Sequence, residues 1–326
     1  MMHMEIPFVK MVASGNDFLI IDTRHHHRRS FKAKWAQLAS AMCDRRYGVG
    51  ADGVLVLEPS RIADCQMRVF NPDGSEAEMC GNGARCVAQY VTTTGVEGGR
   101  WKVEGEKGHV TIETKVGTLA ADVEGDRVAM RMPDPRDIRL DLAVEVDHRL
   151  LHVGYVNTGV PHAVVPVASV DRIDVGRLGR QLRSHRTFHP QGTNVDFVEV
   201  RSTRPRRLRI RTYERGVEGE TLACGTGVTA AAVIHALRHD PRHNHADHRI
   251  AVETKSGETL LVSLSVAEHD GMRRIADVTL KGTVRWICQG VFAWPLHHLS
   301  PSPKAKIGLK GRWPPTAARQ VVGPTK

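Results

Sequence analysis

Two pairs of similar segments lie at the same separation along this chain, and this repetition restricts the fold more than any other feature. Cys80 and Cys224 are 144 residues apart, and each is followed directly by Gly-x-Gly and a run containing alanine and valine. The segments around Gly15 and Gly159 resemble each other and are also 144 residues apart. Two pairs at one offset indicate an internal duplication. We therefore expect two similar halves that face each other.

The length and composition agree with two globular domains. The chain has 326 residues, and domains commonly contain about 100 to 200 residues. Hydrophobic residues make up 41% of the chain and charged residues 25%, which is near the globular average. Each half therefore has enough apolar material to bury a core.

The formal net charge of +10 is concentrated at the C-terminal end of the chain. Six positive charges lie in residues 295–326, which contain no acidic residue, so the rest of the chain carries +4. Because 295–326 is rich in proline and lysine and lacks periodicity, we expect a flexible basic tail. A second basic stretch, 201–211, alternates arginine with apolar residues and indicates the solvated face of a strand. No nucleic-acid partner is therefore expected.

Neither a targeting signal nor a membrane span is visible. The first residues lack a long apolar core followed by small residues, and no apolar run approaches the roughly 18 residues of a membrane span. We expect a cytoplasmic protein with no membrane partner, whose six cysteines are thiols. Cys43, Cys65, Cys86 and Cys288 are expected to be buried packing residues.

Short strands and few helices predict an α+β fold, not a doubly wound one. Apolar runs around a glycine turn predict two strands over 8–22, and the apolar spacing over 31–43 predicts a helix. A domain boundary is expected near Asp126, because Pro133 and Pro135 interrupt the chain shortly afterwards. Further strands are predicted at 53–57, 66–70, 101–103, 110–114, 118–123 and 127–132.

Each repeated cysteine stands where a strand or loop leads into a helix. A helix start presents unpaired N–H groups and the positive end of the helix dipole, which favour a thiolate over a thiol. The N–H groups of the next two residues, Gly81 and Asn82 in one segment and Gly225 and Thr226 in the other, can hold a substrate carboxylate. Two converging helix starts thus predict an anion site flanked by two sulfurs.

This arrangement suits inversion at a Cα atom that carries a carboxylate. One sulfur, as a thiolate, would remove the Cα proton, and the other, as a thiol, would deliver a proton to the opposite face. The sequence shows neither a pyridoxal-binding lysine motif nor a metal cluster, so no cofactor and no metal are expected. Backbone N–H groups in a closed site would then stabilise the developing charge. The sequence predicts an amino-acid epimerase or racemase that acts through Cys80 and Cys224.

Four longer motifs resemble those of diaminopimelate epimerases. They are SGNDF (14–18), CDRRYGVGADG (43–53), FNPDGSEAEMCGNGARC (70–86) and ERGVEGETLACGTG (214–227), and the similarity runs from about residue 9 to residue 290. The resemblance implies two pseudo-symmetric domains, each a mixed or antiparallel sheet around a central helix, with the active site in the cleft between them. It also implies a final strand at 276–286 that returns to the first domain. The expected domains are therefore 1–126 with 276–294, and 127–275. Because family members are commonly homodimers, a homodimer is expected.

The resemblance also implies roles for individual residues. It makes Cys80 and Cys224 the acid/base pair that interconverts LL- and meso-diaminopimelate in the synthesis of lysine and peptidoglycan precursors. His162 and Glu214 match residues that assist catalysis, and Arg215 is suited to a bidentate pair with the distal carboxylate. The residues that match substrate-binding positions are Asn16, Asn71, Gly81, Asn82, Asn194, Glu214, Arg215, Gly225 and Thr226.

Two departures from the family pattern concern the distal end of the substrate. Val160 stands where the family often has asparagine, and Gly53 stands where some members have glutamine. Two side-chain contacts to the substrate are thus missing. They leave a related racemase, for histidine, proline or another amino acid, as the enzymatic alternative.

A metal- or nucleic-acid-binding protein is the alternative from a different class. Histidines at 25–27 and at 239, 243, 245 and 248 are candidate metal ligands. The second group is irregularly spaced after a helix end, which argues against a specific metal site. The basic tail is the corresponding candidate for nucleic-acid binding.

Overall fold

The structure, a computed structural model, describes residues 3–24, 34–94, 107–239, 246–269 and 272–295. Strands predominate in this part of the chain, which confirms the α+β class. The α-helices are α1 (Trp35–Cys43), α2 (Gly81–Thr94), α3 (Val175–Arg183) and α4 (Gly225–His239). The strands are β1 (His3–Ala13), β2 (Asn16–Asp22), β3 (Gly53–Glu58), β4 (Cys65–Phe70), β5 (Glu76–Ala77), β6 (Lys107–Thr114), β7 (Gly117–Glu124), β8 (Arg127–Arg131), β9 (Arg136–Val146), β10 (Arg149–Asn157), β11 (Pro161–Pro166), β12 (Asn194–Thr203), β13 (Arg206–Glu214), β14 (Gly219–Thr221), β15 (Ala246–Glu253), β16 (Thr259–His269), β17 (Met272–Thr283) and β18 (Arg285–Pro295).

Strand pairing gives the two halves the same topology. The first half has the order β18-β1-β2-β3-β4-β6-β7-β8, and the second has the order β9-β10-β11-β12-β13-β15-β16-β17. The parallel pairs fall at equivalent places, β2 with β3 and β4 with β6 in the first half, and β11 with β12 and β13 with β15 in the second. The duplication expected from the sequence is therefore present in the fold.

Each half wraps its sheet around one buried helix. In the first half α2 packs Val87 and Val91 into a core with strands β6 to β8. In the second half α4 is buried on all sides from Gly227 to Leu237 and packs against strands β9 to β13 and β15 to β17. A helix that is apolar all round is stable only inside a core. The helices α1 and α3 pack on the outer face of their sheets, in two further apolar clusters.

β8 and β17 join the two halves. They pair with each other, and each also pairs with a strand of its own half, β7 and β16. Strand pairing therefore continues from one half to the other. The domain boundaries expected near residues 126 and 276 stay predictions. The single strand expected at 276–286 is divided, because β17 ends at Thr283 and β18 then pairs with β1. The chain returns to the first half through β18.

The cysteines differ in burial. Cys43, Cys65 and Cys86 are buried, as expected, whereas Cys288 is exposed. The prediction for Cys288 is wrong because this residue lies on β18, whose only pairing partner among the described strands is β1.

The basic stretch 201–211 forms the end of β12 and most of β13. Leu208 and Ile210 are buried there, and the alternating Arg209 and Arg211 lie on the other face. These arginines are only 26% and 23% exposed and form ion pairs with acidic side chains. The strand is confirmed, and its polar face is paired rather than simply solvated.

Three sequence predictions concern residues outside the described part: the strand at 101–103, the start of the first helix at 31–33, and the tail from residue 296 onwards. Among the helices that the structure describes, none combines the length and the apolar character needed to cross a membrane.

Candidate active site

Cys80 and Cys224 lie at the N-termini of the two central helices. The carbonyl oxygen of Cys80 accepts a hydrogen bond from the N–H of Ala84 at 2.8 Å, and that of Cys224 accepts one from Val228 at 2.9 Å. The N–H of Gly83 also donates to the Cys80 sulfur over 3.4 Å. Each cysteine therefore occupies the capping position, where the positive end of the helix dipole acts on it.

The two helix starts meet between the halves. Cα atoms of α2 and α4 approach within 8 Å of each other. The side-chain amide of Asn82 donates to the carbonyl oxygen of Ala223, directly before Cys224, over 3.5 Å. A Cβ added at Gly81 would meet no atom within 4 Å, so open space borders this helix start. A carboxylate can approach the backbone N–H groups closely there.

A polar network in the first half fixes the Asn82 side chain. Asn16 begins β2 after a two-residue turn, Ser14-Gly15, with positive φ angles of 52° and 86°, as in the usual short hairpin connection. The Asn82 amide donates to Asn16 Oδ1 over 2.7 Å. The fully buried Arg85 donates to Ser14 Oγ at 2.6 Å and to Asn82 Oδ1 at 2.8 Å. Asn82 is thus held from both sides.

A second polar network lies in the other half and ends at Cys224. His162 is completely buried on β11, with Nδ1 2.7 Å from Asp196 Oδ2 and Nε2 2.9 Å from Thr226 Oγ1. Thr226 Oγ1 is also 3.3 Å from the Cys224 sulfur. The other carboxylate oxygen of Asp196 accepts a hydrogen bond from the Thr212 hydroxyl at 2.8 Å. A continuous series of hydrogen bonds therefore connects Asp196 to Cys224.

Glu214, the last residue of β13, acts on both sulfurs. Its carboxyl group accepts a hydrogen bond from the Thr221 hydroxyl and interacts with the Cys224 thiol. Its negative charge also raises the pKa of Cys80, after the larger effect of desolvation. Burial raises the pKa of Glu214 itself. This carboxyl group is therefore protonated more easily than an ordinary glutamate.

Arg215 and Asn194 hold each other at the edge of the site. Asn194 Oδ1 accepts a hydrogen bond from the backbone N–H of Arg215 at 2.8 Å, and its amide donates to the carbonyl oxygen of Pro161 at 3.0 Å. The Arg215 guanidinium donates to the carbonyl oxygen of Gln191 at 3.2 Å. Asn194 thereby ties the start of β11, which carries His162, to the end of β13.

The structure changes the expected protonation of the cysteines. Both residues are partly exposed, yet desolvation raises the pKa of Cys80, and the N–H groups of Gly83 and Asn82 only partly offset this. Desolvation raises the pKa of Cys224 well above its usual value, and the charges of Glu214 and Asp196 raise it further. The helix-start N–H groups still favour the thiolate, as expected, but desolvation opposes their effect at both sulfurs.

The chain is similar to known proteins over both of its halves. A family model described as "Diaminopimelate epimerase" matches residues 8–132 and 154–279, one stretch in each half. The chain belongs to the diaminopimelate epimerase family. A relative from Aquifex aeolicus is 37% identical over 291 residues, covering 87% of this chain and 96% of the relative. Another, from Methanocella arvoryzae, is 42% identical over 237 residues, covering 71% of this chain and 81% of the relative. Both are named "Diaminopimelate epimerase".

Two solved structures show the same fold at low identity. A PhzF-family phenazine biosynthesis protein from Bacillus anthracis is 19% identical with a TM-score of 0.63, over 88% of this chain and 99% of that one. A hydroxyproline epimerase from Agrobacterium vitis is 15% identical with a TM-score of 0.62, over 89% and 92%. The two-domain architecture of the diaminopimelate epimerase family is thereby confirmed for this chain.

One residue that resembles a substrate-binding position of the diaminopimelate epimerase family is bonded elsewhere. Asn71 lies in the turn between β4 and β5, where its N–H donates to the Ser75 carbonyl oxygen at 2.8 Å and its amide to the Ser75 hydroxyl at 2.9 Å. None of its hydrogen bonds within the described part of the chain reaches another of the predicted site residues.

The candidate metal ligands are only partly described. No group of three or more histidine, cysteine, aspartate or glutamate side chains suited to a metal ion occurs among the residues whose placement is described. The histidines at 25–27, 243 and 245 lie outside those residues.

Sequence reasoning missed Arg85 and Asp196. Each is a charged residue inside an otherwise apolar run, Arg85 within Ala84–Cys86 and Asp196 within Val195–Phe197. A charge in such a run is costly to bury unless it is paired. The sequence of this diaminopimelate epimerase family member therefore indicated that both charges need partners. Which residues these partners are becomes visible only in the fold.

Proposed function

We propose that this protein interconverts LL- and meso-2,6-diaminopimelate by proton transfer at one Cα atom, with no cofactor. The observation that carries the proposal is the meeting of two helix starts, each capped by a cysteine, Cys80 in one half and Cys224 in the other. Membership of the diaminopimelate epimerase family supports the choice of substrate. The reaction serves the synthesis of lysine and peptidoglycan precursors.

In the proposed mechanism the two cysteines act as an acid and a base on opposite sides of one carbon. One cysteine acts as a thiolate and removes the Cα proton, and the other acts as a thiol and donates a proton to the opposite face. The two sulfurs exchange these roles for the reverse reaction. Each turnover therefore leaves the proton on the other sulfur, and the pair must be reset before the next turnover in the same direction.

The negative charge that develops on the substrate carboxylate needs stabilisation. The N–H groups of Gly81 and Asn82 and those of Gly225 and Thr226 belong to the first turns of α2 and α4. Such donors are fixed before the reaction begins, and two helix dipoles add their positive ends. Preorganised donors of this kind stabilise the transition state more than water does.

Arg215 is the group suited to the distal carboxylate. Its guanidinium has one hydrogen bond among the described residues, to a backbone carbonyl oxygen, so its remaining N–H groups can form a bidentate pair. Asn194 holds its backbone, which fixes the base of this long side chain. A substrate with a second carboxylate therefore suits the site better than histidine or proline.

Substrate profiling tests this proposal. The purified protein is expected to convert LL-diaminopimelate, whereas Arg215→Gln is expected to lower kcat/KM about 10- to 100-fold, the effect of a lost charged hydrogen bond. Arg201→Gln, which alters a surface ion pair on β12, serves as the matched control and is expected to keep the rate. Inversion of histidine or proline without action on diaminopimelate would show that the substrate is wrong.

A homodimer in the cytoplasm is a further part of this proposal. Edge strand β18 exposes Trp286, Ile287 and Val291, of which Ile287 is 52% and Val291 is 58% exposed. Apolar residues on an unpaired edge favour association with a second copy. All six cysteines are free thiols, which suits a reducing compartment.

Light scattering tests the dimer. The wild-type protein is expected to have twice the mass of one chain, and Ile287→Glu is expected to yield monomers. Ile62→Glu places the same charge at a position that is 72% exposed and outside β18, and should leave the dimer intact. A monomeric wild-type protein would refute this part of the proposal.

A further inference from the structure

The duplication provides an internal comparison for the buried His162. When the strand orders of the two halves are aligned, β11 and β12 of the second half correspond to β2 and β3 of the first. The first paired residues are His162 with Asn194 in one half and Phe18 with Gly53 in the other. Phe18 and His162 are also 144 residues apart, the offset of the two cysteines. Phe18 therefore occupies the position of His162.

The same comparison places Leu55 at the position of Asp196. Each residue lies two positions after the first paired residue of its strand, and each faces the last glycine of a Cys-Gly-x-Gly segment. A Cβ added at Gly83 would lie 2.9 Å from Leu55 Cδ2, and one added at Gly227 would overlap Asp196 Oδ1. The two pairs thus occupy equivalent places beside the two helix starts.

The fold itself needs only apolar packing at these places, as Phe18 and Leu55 demonstrate in the first half, where both are buried. A buried histidine and carboxylate cost desolvation free energy that an apolar pair avoids. In the second half His162 and Asp196 are both 0% exposed, and hydrogen bonds connect His162 through Thr226 to Cys224. This difference between the halves indicates a chemical role.

We propose that Asp196 is a positioning residue that makes His162 the base for Cys224, with the Thr226 hydroxyl between them. The inference rests on the proposed function, in which Cys224 transfers protons. Asp196 accepts the hydrogen on His162 Nδ1, which leaves Nε2 without a hydrogen and ready to accept one from Thr226. The Thr226 oxygen, in turn, accepts the hydrogen of the Cys224 thiol.

The transfer is balanced in protons and charge. The S–H bond of Cys224 breaks and its proton forms a bond to Thr226 Oγ1, while the original hydroxyl proton of Thr226 passes to His162 Nε2. The products are a thiolate and an imidazolium, and the carboxylate of Asp196 stabilises the imidazolium. The reverse transfer restores the thiol when Cys224 has to act as the acid.

The proposal makes the two sulfurs unequal although the fold is duplicated. Cys80 has Phe18 and Leu55 where Cys224 has the histidine and the carboxylate, so among the described residues it has no equivalent series of hydrogen bonds. In the enzyme without substrate, the base therefore produces the thiolate at Cys224, and Cys80 becomes a thiolate only after it has donated its proton to a substrate. One thiolate and one thiol are the pair of states that a two-base inversion requires.

The test is the alkylation rate of each cysteine by iodoacetamide, followed by peptide mass spectrometry in wild type and in the isosteric variant Asp196→Asn. An asparagine amide donates to His162 Nδ1 and forces the wrong tautomer, and a comparable aspartate-to-asparagine change beside a catalytic histidine costs about 10⁴-fold in rate. We expect alkylation of Cys224 to slow by about 10-fold or more, since less thiolate is present, while Cys80 keeps its rate as an internal reference.

Two further variants separate positioning from structural damage. Thr226→Ser retains the hydroxyl and should preserve the reactivity of Cys224, whereas Thr226→Val should lose it. If Asp196→Asn fails to fold, the two Thr226 variants carry the test.

Two results would overturn the proposal: an unchanged rate at Cys224 in Asp196→Asn and Thr226→Val, or an equal loss at both cysteines. Alkylation needs no substrate, so its outcome is separate from that of the proposed function. Selective loss at Cys224 in a protein that does not turn over diaminopimelate would support the role of Asp196 and refute only the substrate.

Discussion

Arg85 donates a hydrogen bond to the side-chain oxygen of Asn82 over 2.8 Å, from a guanidinium that is otherwise incompletely paired. Its Nε and Nη1 atoms are buried and have no hydrogen-bond partner among the described residues. Desolvation also lowers the pKa of Arg85. A buried cation with missing partners reduces stability. Its benefit therefore lies in holding Asn82, which connects Asn16 to the segment before Cys224.

Replacing Arg85 by methionine should separate activity from stability. Arg85→Met is expected to lower kcat/KM about 10- to 100-fold, because Asn82 loses a charged hydrogen bond. The free energy of unfolding should fall by less than about 1 kcal/mol or rise, because the buried charge is removed. Urea denaturation and an epimerase assay on the same preparations measure both. Arg209→Met, which removes the ion pairs of β13 with Asp171, Glu199 and Glu253, is the control that should leave activity unchanged. Full activity of Arg85→Met would contradict this role.

The last glycines of the two Cys-Gly-x-Gly segments should differ in their tolerance of alanine. In Gly227→Ala the new methyl overlaps the Asp196 carboxylate, which His162 and Thr212 hold in place, so we expect a loss of about 1 to 3 kcal/mol. In Gly83→Ala the only close contacts of the methyl, at 2.9 and 3.3 Å, are with the two end carbons of the Leu55 side chain, which can turn aside, and Cys80 Cβ lies at an ordinary contact distance of 3.5 Å. Both substitutions gain the same helix propensity. Equal losses of stability in urea denaturation would contradict the tight fit at Asp196.

His235 should make stability depend on pH. This residue of α4 is 4% exposed and stacks on His239 with ring centroids 4.3 Å apart. Desolvation, with the charges of His239, Arg206 and His248, lowers the pKa of His235 to about 4. In the unfolded chain its pKa is about 6.5, so below that pH the unfolded state binds more protons than the folded state. The contribution of neutral His235 is complete above about pH 6.5 and is lost as the pH falls towards about 4.

Urea denaturation of wild type and His235→Phe between about pH 7 and about pH 5 measures this effect. The wild-type free energy of unfolding should decrease on the acid side more steeply than that of the variant. Identical slopes for the two proteins would show that His235 is not the group responsible.

The sequence predicted those features that depend on local patterns. Apolar runs around Ser14-Gly15 predicted the first two strands, and Cys-Gly-x-Gly predicted the starts of α2 and α4. The break between β17 and β18 was not predicted. Val284 continues the alternation of the strand, but its N–H donates to the carbonyl oxygen of Asp126 at 2.8 Å, a residue far away in sequence. A local pattern contains no information about such a partner.

The sequence predicted which residues belong to the site, but not the hydrogen bonds that connect them. The motifs named Asn82, His162 and Thr226, but the pairing of His162 with Asp196 arises because parallel strands β11 and β12 place them in the same layer. The raised pKa of Cys224 was also missed, because desolvation depends on the completed fold and outweighs the local helix start. Hydrogen-bond partners and pKa shifts that depend on residues distant in sequence could not be predicted from the sequence alone.

Deuterium incorporation at Cα of LL-diaminopimelate in heavy water tests the central claim most directly. We compare wild type with Cys80→Ala, Cys224→Ala and the control Cys86→Ala, which removes a buried thiol from α2, the helix that begins directly after Cys80. The account predicts that deuterium enters as the meso isomer forms in wild type and in the control. It also predicts that epimerisation falls by about 10²-fold or more in each of the other two variants, since each lacks an acid or a base. Epimerisation at the wild-type rate in a protein that lacks either sulfur, or no exchange by folded wild type, would contradict it.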